Sequence, residues 1–347
     1  MNSKERMKRA VDFGGPDMAA VDYWVLPAAY VRHGKALSDL LKKYPKDMLD
    51  PYDTDDKTPL HESHRKGDYT DPFGCVWHQE CDGHLGQVSV YPLADGSAIG
   101  PGAFPPPETL EDGSTIQQLA KAVAAAPDLS EKYVAADFIR TFERMHFMRG
   151  MEKVLMDMLL GKDEFYKLLE AVAEWNLAHL KILLDELGGL ADGVWFSDDW
   201  GTQKALLIKP DHWRKHFKPV YAKMFGMARE RGKQVFFHSD GRIVDIIDDL
   251  IEAGVSVLNL QLTINDAATL RERFGNRVAF HTDLDRQGIL PFGTSAEVKA
   301  HVRGAVEALA TPGGGLILNA EIGGDIPIEN IAALVEGFDE YRRPHSK

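Results

Sequence analysis

From residue 190 onward, short apolar runs alternate with helix-length segments, and this alternation constrains the fold more than any other feature. The runs are Gly193–Phe196, Gln234–Phe237, Val255–Leu260, Val278–Phe280 and Gly315–Leu318. They are short, mostly rich in β-branched or aromatic residues, and bounded by Gly or polar residues, as buried parallel strands are. Between and after them lie segments of helical period: Pro210–Arg231, Arg242–Ala253, Asp266–Phe274, Ser295–Leu309 and Pro327–Tyr341. Pro210 and Pro327 suit a first helical position, and Thr294 followed by Glu297 matches a capping box. Gly232, Gly254 and Gly275 sit where helices should stop. Repeated strand–helix units predict a parallel sheet.

The first half is looser. Ala20–Leu26 and Tyr133–Ile139 read as strands, and Thr141–Leu160 and Asp163–Leu187 as helices joined at Gly161. Gly74–Leu93 reads as a hairpin turning at Asp82-Gly83, and Gly100–Ser114 as a Pro- and Gly-rich loop. Counting the hairpin region gives about eight strands, which suits one α/β domain, a (β/α)₈ TIM barrel over residues 1–347, with residues 1–130 holding an N-terminal elaboration. A doubly wound open sheet is the alternative. No G-x-G-x-x-G follows a strand and no phosphate-binding G-x-x-x-x-G-K-[ST] occurs.

Composition narrows the class. A hydrophobic fraction of 44% supports a packed core, and a net charge of −13 with no basic run argues against nucleic acid. No apolar stretch approaches the roughly 18 residues of a membrane span. The two cysteines, Cys75 and Cys81, cannot build a disulfide framework, and Met1–Asp12 is polar. A cytoplasmic protein is expected.

Barrel chemistry collects where strands end. Here Phe196 runs into Ser197, Asp198, Asp199 and Trp200; Phe237 into His238, Ser239 and Asp240; Leu258 through Asn259 to Gln261. Phe280 runs into His281 and Asp283, and Leu318 into Asn319 and Glu321. His238 and Asp240 share a face if extended; with Glu321 they form a candidate divalent-metal set, the alternative being direct substrate binding. Adjacent Asp198 and Asp199 point to opposite sides, so at most one faces the mouth, as base or cation anchor. His281 is a further catalytic candidate. Trp24, Trp200, Gln261, Asn319 and His78 are candidate substrate contacts, with core packing the plain account of the tryptophans. Cys75, His78, Cys81 and His84 are spaced like zinc ligands, but the hairpin would put them on opposing faces. Neither G-x-S-x-G nor H-E-x-x-H occurs.

Several stretches resemble the uroporphyrinogen decarboxylase superfamily: Lys4–Phe13, Val21–Trp24, Phe237–Gly241, Ile289–Thr294, Gly313–Gly315 and Pro327–Ile331. The resemblance implies a (β/α)₈ barrel and one of two chemistries. These are cofactor-free decarboxylation, or methyl transfer to or from a corrinoid. Decarboxylases of the superfamily carry Arg-x-Ala-Gly-Arg near the N-terminus; here Arg32 is the only arginine in that region. The resemblance therefore implies the methyltransferase branch, acting on a methyl ether, methylamine or similar donor or acceptor. The corrinoid would ride on a separate protein. Members of that branch often bind zinc through His-x-Cys and a later Cys. His238 matches the His, while Asp240 stands at the first Cys and Glu321 lies near the second. Oxygen ligands would make zinc a stronger Lewis acid, suited to polarising an ether or hydroxyl oxygen rather than activating a thiol. Asp198 or His281 would supply the proton. A homodimer fits the resemblance. A decarboxylase of a smaller acid is the second reading, and a catalytically inactive ligand-binding barrel the third.

Overall fold

A computed structural model describes residues 1–342 apart from 50, 52, 53 and 97. Eight parallel strands form one sheet: β1 Ala20–Val21, β2 Met48–Leu49, β3 Tyr133–Ile139, β4 Gly193–Ser197, β5 Gln234–Ser239, β6 Val257–Gln261, β7 Ala279–Asp283 and β8 Leu316–Leu318. Each strand from β2 to β8 pairs with its successor, and β8 pairs with β1. The sheet is thus a barrel open at one seam, between β1 and β2, with helices around it.

Asp47 spans that seam. Its N–H donates to the Val21 carbonyl (2.7 Å), and its carbonyl accepts from Tyr133 N on β3 (3.0 Å). Its fully buried carboxylate accepts from Val21 N at 2.9 Å through Oδ2. Oδ1 accepts from Ser3 Oγ (2.6 Å), Arg6 Nη1 (2.8 Å) and Arg342 Nη2 (2.9 Å). One side chain therefore ties both ends of the chain to the place where the barrel lacks a ladder.

Several expectations about strands are corrected. The eighth barrel strand is Met48–Leu49, too short to show in the sequence pattern. The hairpin region instead forms a separate antiparallel sheet of Gly67–Thr70, Val76–Gln79 and Gln87–Val90. Asp82-Gly83 is not its two-residue turn, because residues 80–86 connect the strands. They are drawn elsewhere: Asp82 Oδ1 accepts from Lys66 N, and Gly83 bonds to His64 O and Ala28 N. The Ala20–Leu26 strand also divides, with Trp24–Val25 pairing against Glu321–Ile322 beyond the barrel rim.

The helices follow local rules. Thr294 and Glu297 form the expected capping box on Ser295–Leu309. Thr141–Leu160 is two helices, Phe142–Arg149 and Met151–Leu160, because Gly150 sits between them at φ +92°. Pro210–Arg231 also divides, at Phe217, where Pro219 brings no N–H to the second helix. The sequence pattern did not reveal Ser3–Val11, Pro27–Leu41 or Ile116–Ala125. Met7, Ala10 and Val11 of the first of these pack with Trp195, Phe236 and Ile317 and fill the lower barrel. No described helix is long and apolar enough to cross a membrane.

Replacing Asp47 by Ala would leave buried Arg6 without its 2.8 Å partner at the seam. A loss of about 3–5 kcal/mol is expected for removing one member of a buried charge pair. It should appear as a lower urea midpoint at unchanged slope; an unchanged midpoint would show that the seam does not depend on this carboxylate.

Candidate active site

Strand alternation decides which polar residues reach the barrel axis. Trp195, Phe236, Val257, Ala279 and Ile317 belong to the interior cluster, whereas Phe196, Phe237, Leu258, Phe280 and Leu318 pack outward against the helices. Two positions further along each inward face lie Ser197, His238, Asn259, His281 and Asn319, and two further again Asp199, Asp240, Gln261, Asp283 and Glu321. The apolar barrel floor thus changes to a polar ceiling within a few residues. Asp198 has the opposite parity.

Asp199, His238 and Asp240 converge. His238 Nε2 lies 3.5 Å from Asp199 Oδ1 and 3.8 Å from Asp240 Oδ1. One ligand atom from each falls within 4.8 Å of the others. The loops carrying them lie back to back. Asp240 N donates to Asp199 Oδ1 (2.8 Å) and Gly201 N to Asp240 O (3.1 Å). A Cβ on Gly241, at φ +77°, would stand 2.2 Å from the Gly201 carbonyl carbon, so this approach requires glycine. The cluster opens into a cavity of about 1190 Å³ whose wall includes Trp24, Tyr30 and Phe138.

Charge around the cluster is graded. Burial disfavours charge on His238, but Asp199 and Asp240 outweigh it and raise its pKa to about 10. Burial likewise opposes ionisation of Asp199, yet the His238 hydrogen bond and charge hold it down at about 2. Arg286 pairs with Asp240, with Glu321 at 2.6 Å and with Asp283 at 3.4 Å. Burial still pushes Asp283 up to about 7. Across the cavity, Arg140 contacts Glu111 (2.5 Å) and Glu143 (3.2 Å). Burial raises Glu143 to about 8, offset in part by Arg140 and reinforced by Asp199 and Asp198. Glu143 lines the cavity, and burial favours its protonated form. Sequence reasoning missed it because it lies within a helix, one turn after a strand end, where no strand-end pattern reaches.

The structure also relocates several expected site residues. Asp198, expected as a proton donor, is fully buried and faces outward; it accepts from Thr141 N, Glu143 N and Tyr221 Oη. It anchors the Glu143 helix. His281, the other expected donor, is fully buried, with Nε2 3.1 Å from Asp22 Oδ2. Gln261 Oε1 accepts from Gly241 N, and Asn319 Nδ2 donates to Thr282 O, so both support backbone. Trp200 is fully buried, stacked on Phe142, with Nε1 donating to Tyr221. His78 is exposed on the separate sheet, paired with Asp68, and does not line the cavity. Glu321 lines the cavity but pairs with Arg286, and Asp199, not Glu321, joins His238 and Asp240 in the group that could hold a metal ion. Trp24 lines the cavity with its ring centroid 5.9 Å from that of His238.

The family model for uroporphyrinogen decarboxylase (URO-D) matches residues 107–341. The chain belongs to this family. Among solved structures, a methyltransferase from Methanosarcina mazei superposes with a TM-score of 0.70 at 18% identity, covering 99% of this chain and 100% of that one. An endoxylanase from a sugarcane soil metagenome gives a TM-score of 0.46 at 12% identity, covering 90% of this chain and 87% of its own. No curated protein sequence matches.

The Asp199–His238 pair should make the metal-free chain's stability depend on pH. His238 is raised from 6.5 to about 10, so its contribution is full below about pH 6.5 and disappears as pH rises through 10. Asp199 is lowered from 3.8 to about 2, so its contribution holds above about pH 3.8 and is lost as pH falls through 2. Urea midpoints in chelator, wild type minus His238→Gln, are expected to be greatest between these limits and to shrink toward pH 10. A difference independent of pH would show that the pair is not ionised.

Proposed function

We propose that the chain is a methyltransferase moving a methyl group between a small substrate, such as a methyl ether or methylamine, and a corrinoid carried on a separate protein. The Asp199–His238–Asp240 cluster at the floor of an open cavity carries this reading. Family membership and the full-length fold likeness to a methyltransferase support it. The cavity is slightly larger than the roughly 300–1,000 Å³ of most small-ligand pockets, which leaves room for a second reactant from the open side.

The donor set fits zinc. It offers one imidazole nitrogen and two carboxylate oxygens, and Asp240 Oδ1 is buried without a hydrogen-bond partner. The His238–Asp199 and His238–Asp240 separations lie within two metal–ligand bonds of about 2.0–2.2 Å. When bound, zinc supplies Lewis acidity toward a leaving oxygen or nitrogen, and the corrinoid a cobalt(I) nucleophile for the methyl group. Glu143 holds the proton that the leaving atom takes. Trp24 and Phe138 wall the substrate, and Arg286 neutralises the acids beside the cluster. Decarboxylation without a cofactor is the rival within the family. It calls for cations to hold substrate carboxylates, whereas Arg140 and Arg286, the arginines among the described cavity residues, are already paired with the protein's own acids.

The test combines the purified chain with a cobalt(I) corrinoid protein and a panel of methoxylated aromatics and methylamines. Methyl–cobalt absorbance is expected, with one equivalent of zinc that Asp240→Ala loses. Glu143→Gln should slow transfer about 10²–10⁴-fold. Because the acid form of Glu143 is required, the wild-type rate should fall as rising pH removes its proton, a limb absent from the variant. No methyl–cobalt across the panel would refute methyl transfer, and carbon dioxide release without corrinoid would favour the rival.

A further inference from the structure

Strand register lines up a row of side chains across the barrel. Asn259 on β6 is in register with His238 on β5 and with His281 on β7. All three point inward, so their side chains touch in sequence. Asn259 Oδ1 lies 2.5 Å from His238 Nδ1. Asn259 Nδ2 lies 2.9 Å from His281 Nδ1, 3.1 Å from His281 O and 3.3 Å from Thr282 O. His281 Nε2 meets Asp22 Oδ2 at 3.1 Å, and Asp22 Oδ1 stands 3.7 Å from Lys46 Nζ. Asp22, Asn259 and His281 are essentially sealed from solvent.

The hydrogens in this row follow from two backbone carbonyls. A carbonyl can only accept, so the Asn259 nitrogen must face His281 O and Thr282 O. The Asn259 oxygen then faces His238, and His238 Nδ1 must carry the hydrogen. The same Asn259 nitrogen meets His281 Nδ1, and a hydrogen on Nδ1 would oppose the amide hydrogens and leave Nε2 bare against the Asp22 carboxylate, so Nδ1 is the unprotonated nitrogen. His281 therefore carries its hydrogen on Nε2 and donates it to Asp22. Each link determines the next, and the row ends at a carboxylate paired with a lysine.

We infer that Asp22, His281 and Asn259 form a positioning chain that commits Nδ1 of His238 to donation and presents Nε2 to Asp199 and Asp240. This assigns His281 a role that acts through another residue rather than on substrate. Metal-ligating histidines are commonly oriented by a partner on the far ring nitrogen, and loss of that partner typically costs 10–100-fold in metal affinity. The metal part of the inference rests on the zinc site proposed above; the hydrogen arrangement does not.

Two measurements separate these. In chelator-treated full-length protein labelled with ¹⁵N-histidine, His281 should show a protonated Nε2 and an unprotonated, pyridine-type Nδ1. His238 should show a slowly exchanging Nδ1 proton. A protonated His281 Nδ1 or an unprotonated His238 Nδ1 would overturn the inference without any variant having to fold. In zinc competition assays with a chromophoric chelator, Asn259→Leu should weaken binding about 10–100-fold, and His238→Ala should abolish it. Unchanged affinity in Asn259→Leu would also overturn the positioning role, whereas an Asn259 that served stability alone would lower the urea midpoint and leave zinc affinity intact. If the wild type binds no zinc, the metal reading of the site fails, and the ring nitrogens still decide the chain.

Discussion

The barrel depends on a seam where, among the described residues, β1 and β2 share no hydrogen-bonded ladder. Its first two strands have two residues each, too few to pair along their length. Closure is carried instead by Asp47, whose backbone reaches Val21 and Tyr133 and whose carboxylate gathers Arg6 and Arg342. A buried carboxylate is tolerated only when paired and hydrogen-bonded, and here two guanidiniums and two further donors meet that need. Direct pairing of β4 with β5 brings Asp199, His238 and Asp240 together, and the seam contact completes the wall around the axis they face.

Closure sets the position of the strand ends, and the two-residue repeat sets what they carry. The inward faces of β4 to β8 are apolar at Trp195, Phe236, Val257, Ala279 and Ile317 and polar beyond them. Because parallel strands run the same way, the change occurs at nearly one height on all of them. Parity also explains the fate of Asp198 and Asp199. Asp199 faces the cavity, while Asp198 faces the helices and accepts the N–H groups at the start of Phe142–Arg149. Two adjacent carboxylates thus do unrelated work.

Much of this is legible in the sequence. The five C-terminal runs, the Asp163–Leu187 helix and the capping box are local signals, and the barrel read from them stands, as does the family read from the resembling stretches. His238 and Asp240 were legible as partners because their spacing of two is the strand repeat. Other features depend on tertiary contacts that no local pattern encodes. Met48–Leu49 is too short to have a period. Asp82-Gly83 has the chemistry of a tight turn, but contacts with Ala28, His64 and Lys66 compete for its backbone and side chain. Counting parity from Trp195 would have separated Asp199 from Asp198 in advance. Glu321 shares the inward parity yet pairs with Arg286, a choice made by a loop cation rather than by strand geometry.

An acidic mouth must avoid repelling itself, and this one does so by grading its carboxyls. Asp199 and Asp240 lie against the His238 ring, and Asp240 and Glu321 also touch Arg286. Asp283 and Glu143 are more deeply buried for the cation contact each receives, and burial moves both toward neutrality, to about 7 and about 8. The result is a cluster flanked by two acids that burial moves toward the protonated form. In the metal-free chain the charge between Asp199 and Asp240 is balanced by the proton on His238. A divalent cation in that place would displace the proton from Nε2 and leave Nδ1, held by Asn259, undisturbed. Orientation of the ring and exchange of its proton would then fall to different nitrogens, and a cation bound there would leave the barrel wall behind it as it is.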